Sequence, residues 1–300
     1  MDAFENKVAF ITGAASGIGL GLARTFAAAG MHVAMADVRA SALADAAASV
    51  ARAHPRVKVL AVPLDVTDRD AWAAAADRVE RELGNVAVLC SNAGVNFIGA
   101  TQEATWQDWD FGLGVNLGGA INAVRTFVPR MIAQGGGGHV VITSSVSGLF
   151  TGGGSGVYAT SKFALVGLAE SLRADLKRYG IGVSVLCPGP VKSELFESTA
   201  AVRPPKLAAT GSVPVVPPGV SREDTPIFMT APTGEQVGEQ VLAGIRRNQM
   251  YILTHAEIRP VLEARAAALL AALPVEPVDP ARIEASRMLL DTSAYVSAKS

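Results

Sequence analysis

The chain has 300 residues, 50% of them hydrophobic, enough to bury one large core without division into several domains. Charged residues make up only 18%, and 26 basic side chains against 27 acidic ones leave a formal net charge of -1, which excludes the basic footprint of a nucleic-acid-binding protein. The two cysteines, Cys90 and Cys187, each sit in an apolar stretch and are expected as buried thiols in a reducing compartment, not as a disulfide framework.

Asp2 and Glu5 lie just ahead of the first strand-like run, Lys7 to Thr12, so no basic and hydrophobic leader is read and a cytoplasmic protein is expected. The weakly charged stretch from Gly17 to Ala36 is broken by Arg24, Gly30 and His32, and reads as helix, turn and strand, with no membrane span. Apolar β-branched runs predict strands at Val8 to Thr12, His32 to Asp37, Val57 to Leu64, Val86 to Ser91, His139 to Ser144, Gly182 to Cys187 and Tyr251 to Leu253. Ala-rich helical segments fill the gaps, and Gly30, Gly84 and Gly180 stand where helices hand over to strands. This alternation predicts an α/β fold, a doubly wound parallel sheet of about seven strands with helices on both faces.

The segment from Ser193 to Pro232 breaks the rhythm: it is rich in proline and poor in periodic pattern, and is expected to be a substrate lid, 193–234. Glu235 to Arg247 is helical again, and Glu257 to Leu273 predicts a second, amphipathic helix. Residues 1–255 are read as the main domain and 256–300 as its C-terminal helical extension, with the tail from Pro274 packing on a neighbouring subunit.

Chemistry enters first at Thr12-Gly13-Ala14-Ala15-Ser16-Gly17-Ile18-Gly19, which follows a strand and opens a helix. Glycines there let a pyrophosphate approach the backbone, and the helix N-terminus offers unpaired amides to it. Asp37, roughly twenty residues on, ends the second strand, where a carboxylate can accept from ribose hydroxyls and would repel a 2'-phosphate. Arg39 follows closely and could reach a phosphate; NAD is favoured over NADP.

Tyr158 and Lys162 share a helix face, a pairing that alone would suit a solvated surface. A free tyrosine has a pKa near about 10, and nearby positive charge, here from Lys162 and an oxidised nicotinamide, stabilises the phenolate. Ser145 ends the strand through Val140, Val141 and Ile142, at the edge where open α/β sheets bind ligands. The histidines His32, His54, His139 and His255 show no ligand spacing, so no metal is expected.

Together the TGxxxGxG loop, Asn92-Ala93-Gly94 and Ser145 with Tyr158-x-x-x-Lys162 resemble the short-chain dehydrogenase/reductases over residues 5 to about 195. The resemblance implies a Rossmann-type fold and a catalytic set of Ser145, Tyr158, Lys162 and Asn116. It implies cofactor contacts from Gly13, Ser16, Gly17, Ile18, Gly19, Asp37, Arg39, Asp65, Val66, Asn92, Ala93, Gly94, Tyr158, Lys162, Pro188, Gly189, Val191 and Ser193. Ser91 and Ser193 depart from the family, which often has asparagine and threonine there.

Substrate contacts are expected from Asn96, Ser147, Phe150, Leu195 and Phe196, near the apolar Val95, Phe97, Leu149 and Val191, which suggests an apolar secondary alcohol or ketone as the small-molecule partner. Ser91 to Phe97, Thr126 to Ala133 and Tyr251 to Leu253 resemble bacterial aryl Cα-dehydrogenases acting on benzylic alcohols of lignin-derived ethers, whereas Phe127 and Val128 are read as core or subunit-interface residues. Helices such as Thr105 to Arg130 and Tyr158 to Tyr179 build dimers and tetramers in the family, so a homo-oligomer is expected. The alternatives are a dinucleotide sensor without turnover and an epimerase or dehydratase holding NAD tightly.

Overall fold

The computed structural model describes residues 4–207, 225–275, 279–286 and Tyr295. Seven strands, β1 (Val8–Thr12), β2 (His32–Asp37), β3 (Val59–Pro63), β4 (Val86–Ser91), β5 (Gly138–Thr143), β6 (Ile181–Cys187) and β7 (Tyr251–Leu253), form one sheet. Their order is β3-β2-β1-β4-β5-β6-β7 and every pairing is parallel. Parallel pairing demands crossovers, supplied by α1 (Gly17–Ala28), α2 (Ala40–Ala53), α3 (Arg69–Glu82), a broken helix after β4, α6 (Gly156–Leu176) and α9 (Gly234–Arg246).

The two-residue period sorts side chains between two cores. On β1, Val8 and Phe10 join Trp72 of α3 and Phe127, while Ala9 and Ile11 join Leu22 and Phe26 of α1 and Val241 of α9. The Phe10 and Phe127 rings stand 4.5 Å apart, so Phe127 is core as expected. Gly30, Gly84 and Gly180 all carry positive φ at the helix ends, as their positions predict. The chain reverses direction across the sheet between β1 and β4, which opens a crevice at the C-terminal ends of the strands.

Two expectations need correction. Thr105 to Arg130 is helical but not uniformly α: α4 (Trp106–Leu113), set by a Thr105/Asp108 capping box, runs into a π-helical turn (Gly114–Gly118) and then α5 (Gly119–Gln134). Gly119, directly after that turn, presses its backbone on Val66, where an added Cβ would lie 2.7 Å from a side-chain methyl. The segment at 193–234 is not irregular throughout, since α7 (Leu195–Val202) and the short α8 (Pro226–Met229) lie within it; 208–224, with Pro214, Pro217 and Pro218, falls outside the described residues.

The last amphipathic helix, α10 (Arg259–Ala271), buries no residue and leaves Leu269 and Leu270 57% and 67% exposed. It lies beyond the sheet edge and meets the main body where Arg265 stacks over Phe163 of α6. Beyond it α11 (Pro280–Ala285) is described, and the rest of the expected tail lies outside the described residues apart from Tyr295. Among the described residues no helix is long and apolar enough to cross a membrane.

Candidate active site

The crevice is built first by the turn after β1. Gly13 and Gly17 adopt φ of +67 and +54, open to glycine at no steric cost. A Cβ on Gly13 would stand 2.9 Å from the Ala93 Cα, so the β1 and β4 loops touch through a bare backbone. They are also tied by polar bonds: Thr12 Oγ1 accepts from the amides of Asn92 and Ala93 at 2.9 and 3.0 Å, and Asn92 Nδ2 donates to the Thr12 carbonyl.

One cavity of about 300 Å³ opens beyond this turn, lined by the expected Gly13, Asp37, Arg39, Asp65, Val66, Ala93 and Gly94. Asp37 is buried and fully engaged: one oxygen accepts from the Ala15 amide at 3.1 Å, the other from the Arg39 amide at 3.0 Å. Arg39 folds its guanidinium back onto the same carboxylate and reaches Ser16 Oγ at 2.9 Å. The carboxylate that sequence reasoning set against a 2'-phosphate is therefore neutralised by a cation beside the glycine loop.

A second cavity, about 320 Å³, holds the expected Ser16, Gly17, Ile18, Asn92, Ser145, Tyr158, Lys162, Pro188, Gly189, Val191 and Ser193, with Asn96, Ser147, Leu195 and Phe196. Ser145 follows β5, and its Oγ accepts from the Ser147 amide at 3.1 Å. Tyr158 and Lys162 stand one turn apart on α6, the ammonium 5.4 Å from the phenol ring centre and donating to the Thr143 carbonyl at 3.1 Å. Burial lowers the Lys162 pKa to about 8.

Without the positive charge of an oxidised nicotinamide, which the expectation joined to that of Lys162, Tyr158 is held above its ordinary value. Burial is the main cause, and a hydrogen bond from Ser145 offsets only part of it. The nearby Cys187 thiol is pushed up to about 12 by burial, so it contributes no negative charge to the site.

Gly19, Asn116 and Phe150 line neither cavity. A Cβ on Gly19 would strike the Gly13 carbonyl, so that glycine serves the turn's packing. Asn116 sits in the π-turn with its side chain locked: Oδ1 accepts from the Val95 amide at 2.8 Å, while Nδ2 donates to the Val95 carbonyl and Ser161 Oγ. It borders the site through Gly94, where a Cβ would fall 3.2 Å from Asn116 Oδ1 and 3.6 Å from Lys162 Nζ. Phe150 lies past a 3-10 turn (Val146–Gly148) whose direction carries it clear of the second cavity.

Sequence reasoning missed Thr143, Pro190 and Phe228 in the second cavity, and Phe111, Val115, Ser198, Val202 and Pro204 in the first. Phe228 arrives on α8 after a long excursion, with no motif to announce it. Ser198, Val202 and Pro204 come from α7 and its exit, held down by two contacts. Thr199 Oγ1 accepts from the Asn96 amide at 3.0 Å, and the partly buried Arg203 guanidinium pairs at 2.7 Å with the buried Asp108.

These residues fit a dinucleotide. The amides opening α1 and the bare glycine turn suit a pyrophosphate, and Thr143, which lines the chamber, carries a buried hydroxyl with no hydrogen-bond partner among the described residues. No group of His, Cys, Asp or Glu among the described residues could hold a metal ion.

The sequence profile of the short chain dehydrogenase family matches residues 7–203. The Cα-dehydrogenase of Sphingobium sp. (strain NBRC 103272 / SYK-6) is 40% identical over 264 residues, covering 88% of this chain and 85% of that protein. The 1-deoxy-11-beta-hydroxypentalenate dehydrogenase of Streptomyces exfoliatus is 39% identical over 66% of this chain and 72% of its own length. A short-chain dehydrogenase/reductase from Burkholderia phymatum, solved in complex with NAD, superposes with a TM-score of 0.81 at 32% identity, covering 93% of this chain and 100% of that one. The chain belongs to the short-chain dehydrogenase family and is an oxidoreductase of the alcohol dehydrogenase type.

Proposed function

We propose that this short-chain dehydrogenase uses NAD to interconvert an apolar, benzylic secondary alcohol and its ketone, with Tyr158 as acid and base. The observation that carries the reading is the meeting of Ser145, Tyr158 and Lys162 in one chamber beside the glycine turn. Its apolar side, with Val191, Leu195, Phe196 and Phe228, suits an aryl substituent. Similarity to the Sphingobium Cα-dehydrogenase points the same way, while the hydroxypentalenate dehydrogenase keeps the substrate class a matter for assay.

NAD, held by the glycine turn and by the Asn92, Pro188 and Gly189 wall, would supply the hydride acceptor for the carbinol carbon. Tyr158 takes the hydroxyl proton, and Ser145 donates to the oxygen on which charge develops. The Lys162 ammonium favours the phenolate, and a second positive charge in the chamber would offset the burial that holds Tyr158 up. Asn116 holds the Val95 backbone and so supports the Gly94 wall beside Lys162. In this reading 193–234 is a lid on a domain spanning 1–255. The enzyme works as a cytoplasmic homo-oligomer, whose contacts include the exposed apolar side chains of the 256–300 extension.

Growth of reduced-nicotinamide absorbance with NAD or NADP and a panel of aliphatic, steroidal and benzylic secondary alcohols tests the proposal. Turnover of benzylic alcohols with NAD supports it. Binding of NAD without turnover of any alcohol favours a dinucleotide sensor, and product without released NADH favours an epimerase or dehydratase.

A further inference from the structure

The turn after β6 is one peptide unit with two loyalties. Its carbonyl, on Pro188, accepts from the Val146 amide at 3.0 Å and lies 3.5 Å from the Ser145 hydroxyl. Its N–H, on Gly189, points the opposite way and is shared between Thr254 Oγ1 at 3.2 Å and His255 Nδ1 at 3.3 Å, both just past β7. Thr254 Oγ1 and His255 Nδ1 are themselves 2.6 Å apart. Because Nδ1 accepts from the Gly189 amide, it carries a lone pair; the threonine hydroxyl is therefore the donor to it and the ring proton sits on Nε2. The ring packs so closely that a Cβ on Gly189 would stand 2.8 Å from it.

We propose that Thr254 and His255 are positioning residues for the reaction: by holding the Gly189 N–H they keep the Pro188 carbonyl on the Val146 amide and 3.5 Å from Ser145 Oγ, too far to hold its one proton, which stays available to the chamber. A peptide is planar, so an anchored N–H leaves the carbonyl one direction only. Bonding at the N–H end also polarises the unit and strengthens its carbonyl as an acceptor for the Val146 amide. Loosened, the unit could bring the Pro188 carbonyl onto the Ser145 proton and withdraw that proton from the chamber. The inference rests on the assignment of Ser145 to catalysis.

The test pairs two double variants. Thr254→Val with His255→Phe keeps shape and removes both acceptors, whereas Thr254→Ser with His255→Asn keeps an acceptor at each place. The chain contains only two Pro–Gly peptides, Pro188-Gly189 and Pro218-Gly219. Carbonyl-labelled proline with nitrogen-labelled glycine therefore yields two amide signals in the cofactor-free protein, and Gly219→Ala assigns them. The Gly189 proton is expected to move upfield in the first variant and to stay in the second. With alcohol, kcat of the first variant falls about tenfold while KM for NAD holds, and the second recovers wild-type kcat. An unmoved Gly189 signal, an unchanged kcat, or an equal loss in both variants overturns the proposal. If wild-type protein turns over no alcohol, the functional reading fails, while the amide signal still decides whether Thr254 and His255 anchor the peptide.

Discussion

Replacing Lys162 by Met should stabilise the cofactor-free protein while abolishing its turnover. The ammonium is 4% exposed, and burial moves its pKa from 10.5 to about 8. That fall corresponds to about 3 kcal/mol in favour of the neutral amine. The unfolded chain binds the proton more tightly, so the folded state carries the full penalty below about pH 8 and sheds it as pH rises toward 10.5. Methionine removes the charge at similar volume but gives up the bond to the Thr143 carbonyl, which offsets about 1 kcal/mol. The net gain at pH 7 is about 2 kcal/mol, or about 4 °C in thermal midpoint. Thermal unfolding of both proteins at pH 7 and pH 10 measures it. A variant less stable than wild type at pH 7, or a difference that does not shrink toward pH 10, would refute the reasoning.

Tyr158→Phe should lower kcat by about a thousandfold or more, with NAD affinity measured by calorimetry staying within a few fold; full activity would sink the assignment of the acid/base. Asp37→Ser frees the Arg39 guanidinium beside Ser16, and the ratio of kcat/KM for NADP over NAD should rise at least about tenfold in steady-state assays. Arg203→Met leaves the Asp108 carboxylate buried without its cation, at a cost of about 3 kcal/mol. Limited proteolysis should then cut near α7 faster than in wild type, and adding Asp108→Asn should restore resistance; equal cutting in all three proteins would show that the ion pair does not hold α7 down.

Much of this protein was legible in its sequence because local rules and the tertiary fold agree. β1, β2, β4 and β7 fall at the predicted residues, since each is a short, mostly apolar run set between helical or turn segments. The glycine turn, Tyr158 and Lys162 were legible because their geometry is set within one turn or one helix face. Other features were not. Neither the π-turn at Asn116 nor the close approach of Gly119 to Val66 is encoded in the Thr105 to Arg130 pattern.

By itself the sequence determined the doubly wound sheet, the glycine turn and the shared helix face of Tyr158 and Lys162, each a matter of short-range spacing. Only the tertiary structure decided that Arg39 neutralises Asp37, that burial outweighs the Ser145 hydrogen bond at the Tyr158 phenol, that Phe228 stands at the chamber, and that His255 meets the Gly189 amide. Those outcomes depend on burial and on partners many residues away in the chain, and such quantities exist only once the strands have been brought side by side.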